Sequence, residues 1–493
     1  MIRSLMVLAA LLACCAIPVL ADEARYGDAA VEAVGFSLPG NLTDGSRTAV
    51  ASAGGPAQVT LSRAGGIAGV YIEFDTIPQP WTAADPLTGD SLSCGEKGFL
   101  HEYVDLAALG DGLPESLVLD FPAGADIGEL YVFSEGELPG WVQVWQPPCE
   151  RADLLLVSSH ADDEQLFFAG VLPYYAVERG LNVQVAYLVQ YFEGGYADHR
   201  RTHEQLDGLW TVGVRNYPVM PEFPDLYAES KDRDTALAQA VSVYEAAGYT
   251  YEDFVDYLTW CIRRFRPLVV VSHDLDGEYG HGAHVLCADA LGEALDRAAD
   301  PAQDPDTAEE FGAWQVEKTY LHLYPENQIV MDWDTPLDSL GGRTPFQVTQ
   351  EGFACHESQH WTWFYRWIYG TSTVPIQRAA DIGSYSPCLY GLYDTQVGPD
   401  TAGGDFFEHV ETYAQRAEAE RLAEEARRAE AERLAQEQAE AEWLAEEARQ
   451  TEAERLAQEQ AARRRLAAGL AAGALIAAAC AVLAVHRVQR RRR

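Results

Sequence analysis

Lysine is almost missing from this chain: among 493 residues it stands only at Lys97, Lys231 and Lys318, so nearly all positive charge is arginine. Basic residues of both kinds number 35 against 76 acidic ones, a formal charge of −41. That deficit excludes a nucleic-acid partner, because a phosphate backbone needs a basic footprint. The nine cysteines show none of the paired spacing of a zinc–thiolate cluster. Glycine and proline are absent from residues 408–465, which removes every turn signal from that stretch. What remains is 48% apolar, enough for sizeable cores, and the length predicts about three units.

The N-terminus predicts an export signal over residues 1–21. Arg3 gives a positive start, residues 5–20 are almost wholly apolar, and Val19-Leu20-Ala21 offers small residues before Asp22. A retained membrane anchor, or a lipid-modified start at Cys14, would use the same segment. Outside it and Cys480, six cysteines remain: Cys94, Cys149, Cys261, Cys287, Cys355 and Cys388. In an oxidising compartment, Cys94–Cys149 and Cys355–Cys388 are the expected disulfides, each within one predicted segment.

Residues 22–148 read as a β-sandwich. Short β-prone runs at 58–61, 69–74, 116–121, 129–133 and 141–145 alternate with Gly/Pro/Asp turns. Leu42-Thr43-Asp44-Gly45, followed by Val70-Tyr71-Ile72-Glu73-Phe74, resembles discoidin-type carbohydrate-binding domains. A sandwich that only supports its neighbour gives the same pattern. From Ala152 the character changes. Apolar runs at 154–157, 183–189 and 268–271 alternate with helical patterns at 164–179 and 251–264. Strands apolar on both faces between helices predict a Rossmann-like, three-layer α/β domain over 149–392 with a largely parallel sheet. Ligands of such folds gather beyond the carboxyl ends of the strands.

Residues 393–407, rich in Gly, Asp and Thr, are expected to form a linker. Residues 408–465 then predict a helical stalk. Within it, 418–439 recurs as 440–461 with differences only at Arg421/Trp443, Arg428/Gln450 and Ala429/Thr451. Two elevens correspond to about 3.67 residues per turn, and the stalk would extend about 85 Å. Leu422, Leu434, Leu444 and Leu456 are too sparse for a strong dimer seam. A lone helix braced by pairs such as Glu424 with Arg428 is therefore the first reading, and an oligomeric coiled coil the second. Residues 466–485 are uncharged, apolar and long enough to cross a bilayer. A basic tail, 486–493, follows. With a cleaved signal in front, the chain becomes a single-pass protein of the cell membrane, its main domain outside and its tail in the cytoplasm. A buried amphiphilic helix is disfavoured because the run has no polar face.

Two polar clusters carry the chemistry. Ser159-His160-Ala161-Asp162-Asp163-Glu164 follows one apolar strand and opens a helix. Carboxylates there also serve as ordinary helix caps. The second cluster, His273 through Tyr279-Gly280-His281-Gly282-Ala283-His284, follows another strand and enters a helix through glycines. Two such clusters at strand ends of one sheet favour a shared metal over coincidence. Two imidazoles and one carboxylate leave a position open for water, as catalytic zinc requires.

These motifs resemble the PIG-L/LmbE family of zinc-dependent N-acetylglucosaminyl deacetylases. Arg201-Thr202-His203-Glu204 with Val212-Gly213-Val214, and His356-Glu357-Ser358-Gln359, resemble two further elements of that family, and the likeness spans about 152–388. It implies Zn2+ held by His160, Asp163 and His284, with Asp162 as general base. It further implies His281 as oxyanion stabiliser, Tyr279 as an aid in polarising the amide carbonyl, and Arg201 and Gln359 on the sugar side or as structural supports. Ala161 stands where relatives carry Pro, and Ala283 where they often carry Asp, so a sugar-contacting carboxylate is missing at that position. The expected activity is removal of N-acetyl groups from N-acetylglucosamine-containing glycans or glycoconjugates. The competing readings are a non-catalytic glycan-binding surface protein, which would have no use for Asp162, and a zinc amidohydrolase acting on another amide.

Overall fold

Strand β2 (Ala51–Ser62) explains how the N-terminal domain closes. Along both of its halves it pairs with β1 (Ala30–Ser37), its second half pairs with β7 (Ser116–Phe121), and Ala51 and Ser52 pair with β8 (Asp126–Phe133). Gly54-Gly55-Pro56 interrupts the strand between those halves, as a bend in a long strand requires. With β3 (Gly69–Phe74), β4 (Trp81–Ala84), β5 (Ser91–Cys94) and β6 (His101–Asp105), the order is β5-β4-β7-β2-β8-β3-β6, and β1 flanks β2. The expected sandwich of two sheets is therefore one antiparallel eight-stranded sheet, curled into a near-barrel. This computed structural model describes residues 23–110, 112–192 and 197–492; the predicted export signal, 1–21, lies outside them.

Residues 141–145 form no strand. They touch both domains, with Trp141 against Tyr131 of the first (ring centroids 4.8 Å apart) and Trp145 against Trp210 of the second (5.4 Å). The seam beneath is polar as well as aromatic. Arg47 lies 3.4 Å from Glu73 and 2.8 Å from Asp207, and His101 Nε2 meets His203 Nδ1 at 2.8 Å. Phe99 stacks on Tyr217 at 4.5 Å.

The second domain holds β9 (Leu154–Ser158), β10 (Val183–Tyr187), β11 (Val269–Ser272), β12 (Lys318–His322), β13 (Gln328–Val330) and β14 (Leu389–Thr395) in the order β10-β9-β11-β12-β14-β13. The first four run parallel; β14 and β13 are antiparallel additions. Every residue of β9, β10 and β11 is buried, which is why these strands read as uninterrupted apolar runs. Helix 251–265 opens with a capping box between Thr250 and Asp253, and it packs with helix 282–299 into the core around Leu155, Val270 and Leu291. The helix expected over 164–179 is broken. An α-turn, Asp163–Leu166, is followed at Gly170 (φ 87°) by a bend against the Trp333 indole, then by a π-helical turn, Pro173–Glu178.

Two further expectations are corrected. Residues 393–407 are no free linker. Tyr393 belongs to β14, Asp400 accepts from Lys318 and Tyr320, and Phe406 is fully buried against Tyr175. The six cysteines of the two domains are free thiols, so neither expected disulfide forms. Cys94 ends β5 of the β-domain, whereas Cys149 belongs to the core of the α/β domain. The chain divides after Thr412. The second unit is one helix, Tyr413–Arg490, with no buried residue, joining stalk and apolar segment without a break. Its turns are braced by ion pairs of Arg421 with Glu418 and Glu425, and of Arg428 with Glu424.

Candidate active site

Strand β9 ends at Ser158, and the tight turn after it carries His160 to the carboxyl edge of the sheet. The turn is fixed from both sides. Ser159 N–H donates to His273 Nε2 (2.8 Å), Ala161 N–H donates to the Tyr191 hydroxyl (3.0 Å), and Arg201 Nη2 donates to Ala161 O (2.5 Å). Strand β11 delivers the second cluster beside the first. There Tyr279 adopts φ 51° in a 3-10 turn, and His281 caps the helix Gly282–Ala299 by accepting from Ala283 N–H.

His160 Nδ1, Asp163 Oδ2 and His284 Nε2 then stand at the corners of a triangle with edges of 3.1, 3.1 and 3.2 Å. Tetrahedral zinc bonds of about 2.0–2.2 Å place ligand atoms only slightly farther apart, about 3.3–3.6 Å. Two other imidazoles border this triangle: His281 groups with His160 and His284, and His273 with Asp163 and His284. Hydrogen bonding distinguishes them from the three donors of the triangle. His273 uses both ring nitrogens, accepting from Ser159 N–H and donating from Nδ1 to Glu278 Oε2 (2.8 Å). His281 accepts at Nδ1, so its neutral ring carries the proton on Nε2 as a donor. Burial, followed by the neighbouring His160 and His284, pushes His281 well below the usual imidazole range and keeps it neutral.

Glu278 is the site residue that the motif reading passed over. Fully buried, it accepts from His273 and His284 through Oε2 (2.8 and 2.7 Å) and from His322 through Oε1 (2.7 Å). Burial alone would raise its carboxyl, but His273 and the other imidazoles outweigh that and hold it well below the usual carboxylate range. Donation from His284 Nδ1 leaves the Nε2 lone pair facing the triangle, the outer carboxylate arrangement common around metal-binding histidine. His322 comes from β12, a strand the sequence did not signal. Only the position of Glu278 between His273 and His284 could have singled it out. For Asp163, burial acts upward and the imidazoles of His284 and His160 outweigh it, so the group is a carboxylate.

Asp162 stands beside the triangle with φ 111°, at the N-cap position of the short helix, but its side chain makes no capping hydrogen bond. Its Oδ2 lies 3.4 Å from Arg201 Nη2. Burial raises its carboxyl and Arg201 pulls it back, with a net displacement upward. Arg201, stacked over the Tyr191 ring at 4.6 Å, thus supports the turn and the Asp162 carboxylate together. Glu204, one helical turn on, holds Ser358 N–H (2.8 Å) and Oγ (2.5 Å), which brings the two outlying motifs into contact and places Gln359 at the cavity.

All eight predicted site residues except His284 line one cavity of about 800 Å³; His284 is buried beneath its floor. A further part of its wall comes from a segment the sequence reading did not single out. Ser230 N–H and Gly282 N–H bond to Gly280 O and Ala228 O (3.0 and 2.8 Å), and this pairing carries Asp225, Tyr227 and Glu229 to the site. Asp225 Oδ1 lies 3.5 Å from His160 Nε2. Ala283 itself is fully buried and does not line the cavity.

A largely parallel α/β domain with imidazole and carboxylate donors converging at the carboxyl ends of β9 and β11 defines the class of metal-site hydrolases. A protein-family model described as PIG-L, GlcNAc-PI de-N-acetylase, matches residues 155–295, and this part of the chain belongs to that family of amide-hydrolysing deacetylases. The chain is similar to 1D-myo-inositol 2-acetamido-2-deoxy-alpha-D-glucopyranoside deacetylases. It is 28% identical over 207 residues to that of Geodermatophilus obscurus, covering 39% of this chain and 68% of the relative. To that of Rhodococcus jostii it is 32% identical over 183 residues, covering 34% and 60%. Among solved structures, N,N'-diacetylchitobiose deacetylase from Pyrococcus horikoshii aligns over 50% of this chain and 85% of its own, at 15% identity and a TM-score of 0.35.

Proposed function

We propose that the domain spanning 149–392, on a Rossmann-like three-layer frame, is a zinc-dependent deacetylase that hydrolyses the N-acetyl group of an N-acetylglucosamine-containing glycan or glycoconjugate. The observation that carries this is the donor triangle of His160, Asp163 and His284 with the Asp162 carboxylate beside it. The names of the curated relatives support the amino-sugar class.

His160, Asp163 and His284 would hold the zinc, which supplies Lewis acidity that activates water and draws charge from the acyl oxygen. Asp162 takes the proton of the attacking water and later returns it to the departing amine, so that acetate and a free amino sugar are formed. His281, neutral with its proton on Nε2, donates to the oxygen on which charge develops. Burial, with the charges of Asp163 and Asp162, pushes the Tyr279 hydroxyl well above its usual range, so it stays a donor toward the same oxygen. Asp225 and Glu229 provide cavity-wall carboxylates for sugar hydroxyls in place of the acid that Ala283 lacks. Acetate release by the zinc-loaded protein from a panel of N-acetylglucosamine compounds tests the reading; no release from any of them would overturn it.

On the same reading the protein works at the cell surface. Residues 1–21 direct export, 466–485 anchor the chain in the membrane, and the stalk carries the catalytic unit outside, as a monomer or through stalk pairing. The length and apolar composition of the C-terminal helix support a span.

A further inference from the structure

The motif that supplies Gln359 continues into His360-Trp361-Thr362-Trp363-Phe364-Tyr365, an aromatic run that the hydrolytic chemistry does not use. It is held rigidly. Glu204 grips Ser358, Gln359 N–H donates to His356 O (2.9 Å), and the Thr362 hydroxyl and N–H both donate to Gln359 O (2.7 and 3.0 Å). Trp361 on that turn is 84% exposed, Trp363, which opens the helix Trp363–Tyr369 after it, is 45% exposed, and both border the catalytic cavity. Rings connect this rim to the reacting centre: Trp363 lies 5.6 Å from Tyr279, which lies 5.5 Å from His284. The same cavity is lined by Tyr227 and Glu229, whose hydroxyl and carboxylate are hydrogen-bonded to each other.

We infer that Trp361 and Trp363 form a platform for a second pyranose ring, making the substrate an uncharged or cationic oligosaccharide that extends past the acetylated residue; this rests on the deacetylase reading above. A large indole kept in water by a fixed turn loses the apolar burial it would gain in a core. A sugar presents a face of C–H groups that covers such a ring while its hydroxyls reach the carboxylates at the edge. Fixing the ring in advance lowers the ordering cost of binding. Charge narrows the choice further. With Asp163 given to the zinc and Asp162 facing Arg201, the one guanidinium among the described lining residues, Asp225 and Glu229 are the carboxylates left to meet a ligand. A phosphate-bearing aglycone would meet carboxylates, whereas a neighbouring glucosamine unit, once deacetylated, carries a positive charge that suits them. A lipid tail would need an enclosed apolar channel, and Trp361 stands in the open.

The test uses the full-length, zinc-loaded chain in detergent, carrying Asp162→Asn so that binding is read without turnover. Affinities are measured by calorimetry for N-acetylglucosamine, its β-1,4-linked tetramer, its 1-phosphate and its octyl glycoside. The tetramer is expected to bind about tenfold more tightly than the monosaccharide. Adding Trp361→Ala should erase that gain, Trp361→Phe should retain most of it, and neither phosphate nor octyl chain should match it. Equal affinity for monomer and tetramer, a gain that survives Trp361→Ala, or an equal gain from the octyl chain or the phosphate would each overturn the platform. Acetate release by the unsubstituted protein separates the two readings. Release without any chain-length effect on binding removes the platform alone. A chain-length effect without release from any compound removes the deacetylase assignment and leaves an oligosaccharide-binding cleft.

Discussion

Asp162 occupies a backbone conformation, φ 111°, that a residue with a Cβ adopts only at a cost of about 1–3 kcal/mol. The turn that imposes it is held by Tyr191, His273 and Arg201, and the outcome is a carboxylate beside the donor triangle instead of over a helix end. Asp162→Asn preserves the shape and removes the base. It should lower kcat about 10²–10⁴-fold while bound zinc, read by atomic emission, is unchanged; unchanged turnover would remove Asp162 from the mechanism. Glu278 acts one layer further out. Glu278→Gln sets an amide against three imidazole donors, so zinc affinity measured by chelator competition should fall about 10–100-fold. Equal affinity would mean that His284 needs no outer carboxylate to present Nε2.

At the level of elements, legibility followed burial. Strands β9 and β11 were readable as apolar runs, and β3 and β7 matched their predicted bounds, because in each the side-chain pattern is set by the sheet the strand enters. The residues of the donor triangle were readable for a related reason: they sit close to those strand ends. Strands β12, β13 and β14 were not, since Lys318, Thr319 and His322 are buried polar residues, and the partners of Lys318 and His322 lie far along the chain, at Asp400, Glu278 and Ser386 among others. Asp225 and Glu229 escaped notice likewise, being carried to the site by an isolated pairing with 280–282. The seam between the two domains is another feature of long-range origin, and it makes a pH prediction. Burial pushes the Glu73 carboxyl up to about 7, against the opposing pull of Arg47. A raised folded pKa means that its favourable contribution is complete below the unfolded value near 4.5 and is lost as pH rises through about 7. Glu73→Gln fixes the uncharged state, so the Tm difference, variant minus parent, should climb between about pH 5 and pH 8. A difference that stays flat over that interval would show that Glu73 is ionised throughout.

At the scale of the whole molecule, the division after Thr412 separates a unit that contains every candidate catalytic group from a helix that contains none. The first unit closes on itself: Phe406, Phe407 and Val410 are buried, and Glu408 accepts from the backbone N–H groups of Thr401, Ala402 and Gly403 just before the boundary. That closure predicts a first unit whose stability does not depend on the helix that begins at Tyr413. That helix presents Leu470, Leu475, Ile476 and Val482 at 65–72% exposure, a continuous apolar surface that water does not favour and a bilayer would cover. A chain ending at Thr412 should accordingly keep the zinc content, Tm and acetate-release rate of the full-length protein while moving from the detergent-extracted membrane fraction to the soluble one. Sedimentation after cell lysis, with zinc and Tm then measured on both chains, checks each part. If the shortened chain still sediments with membranes, the anchor lies outside 466–485. If it leaves the membrane but loses its zinc or melts earlier, the helix contributes to the fold of the catalytic unit, and the independence read from the closure around Phe406 and Glu408 is wrong.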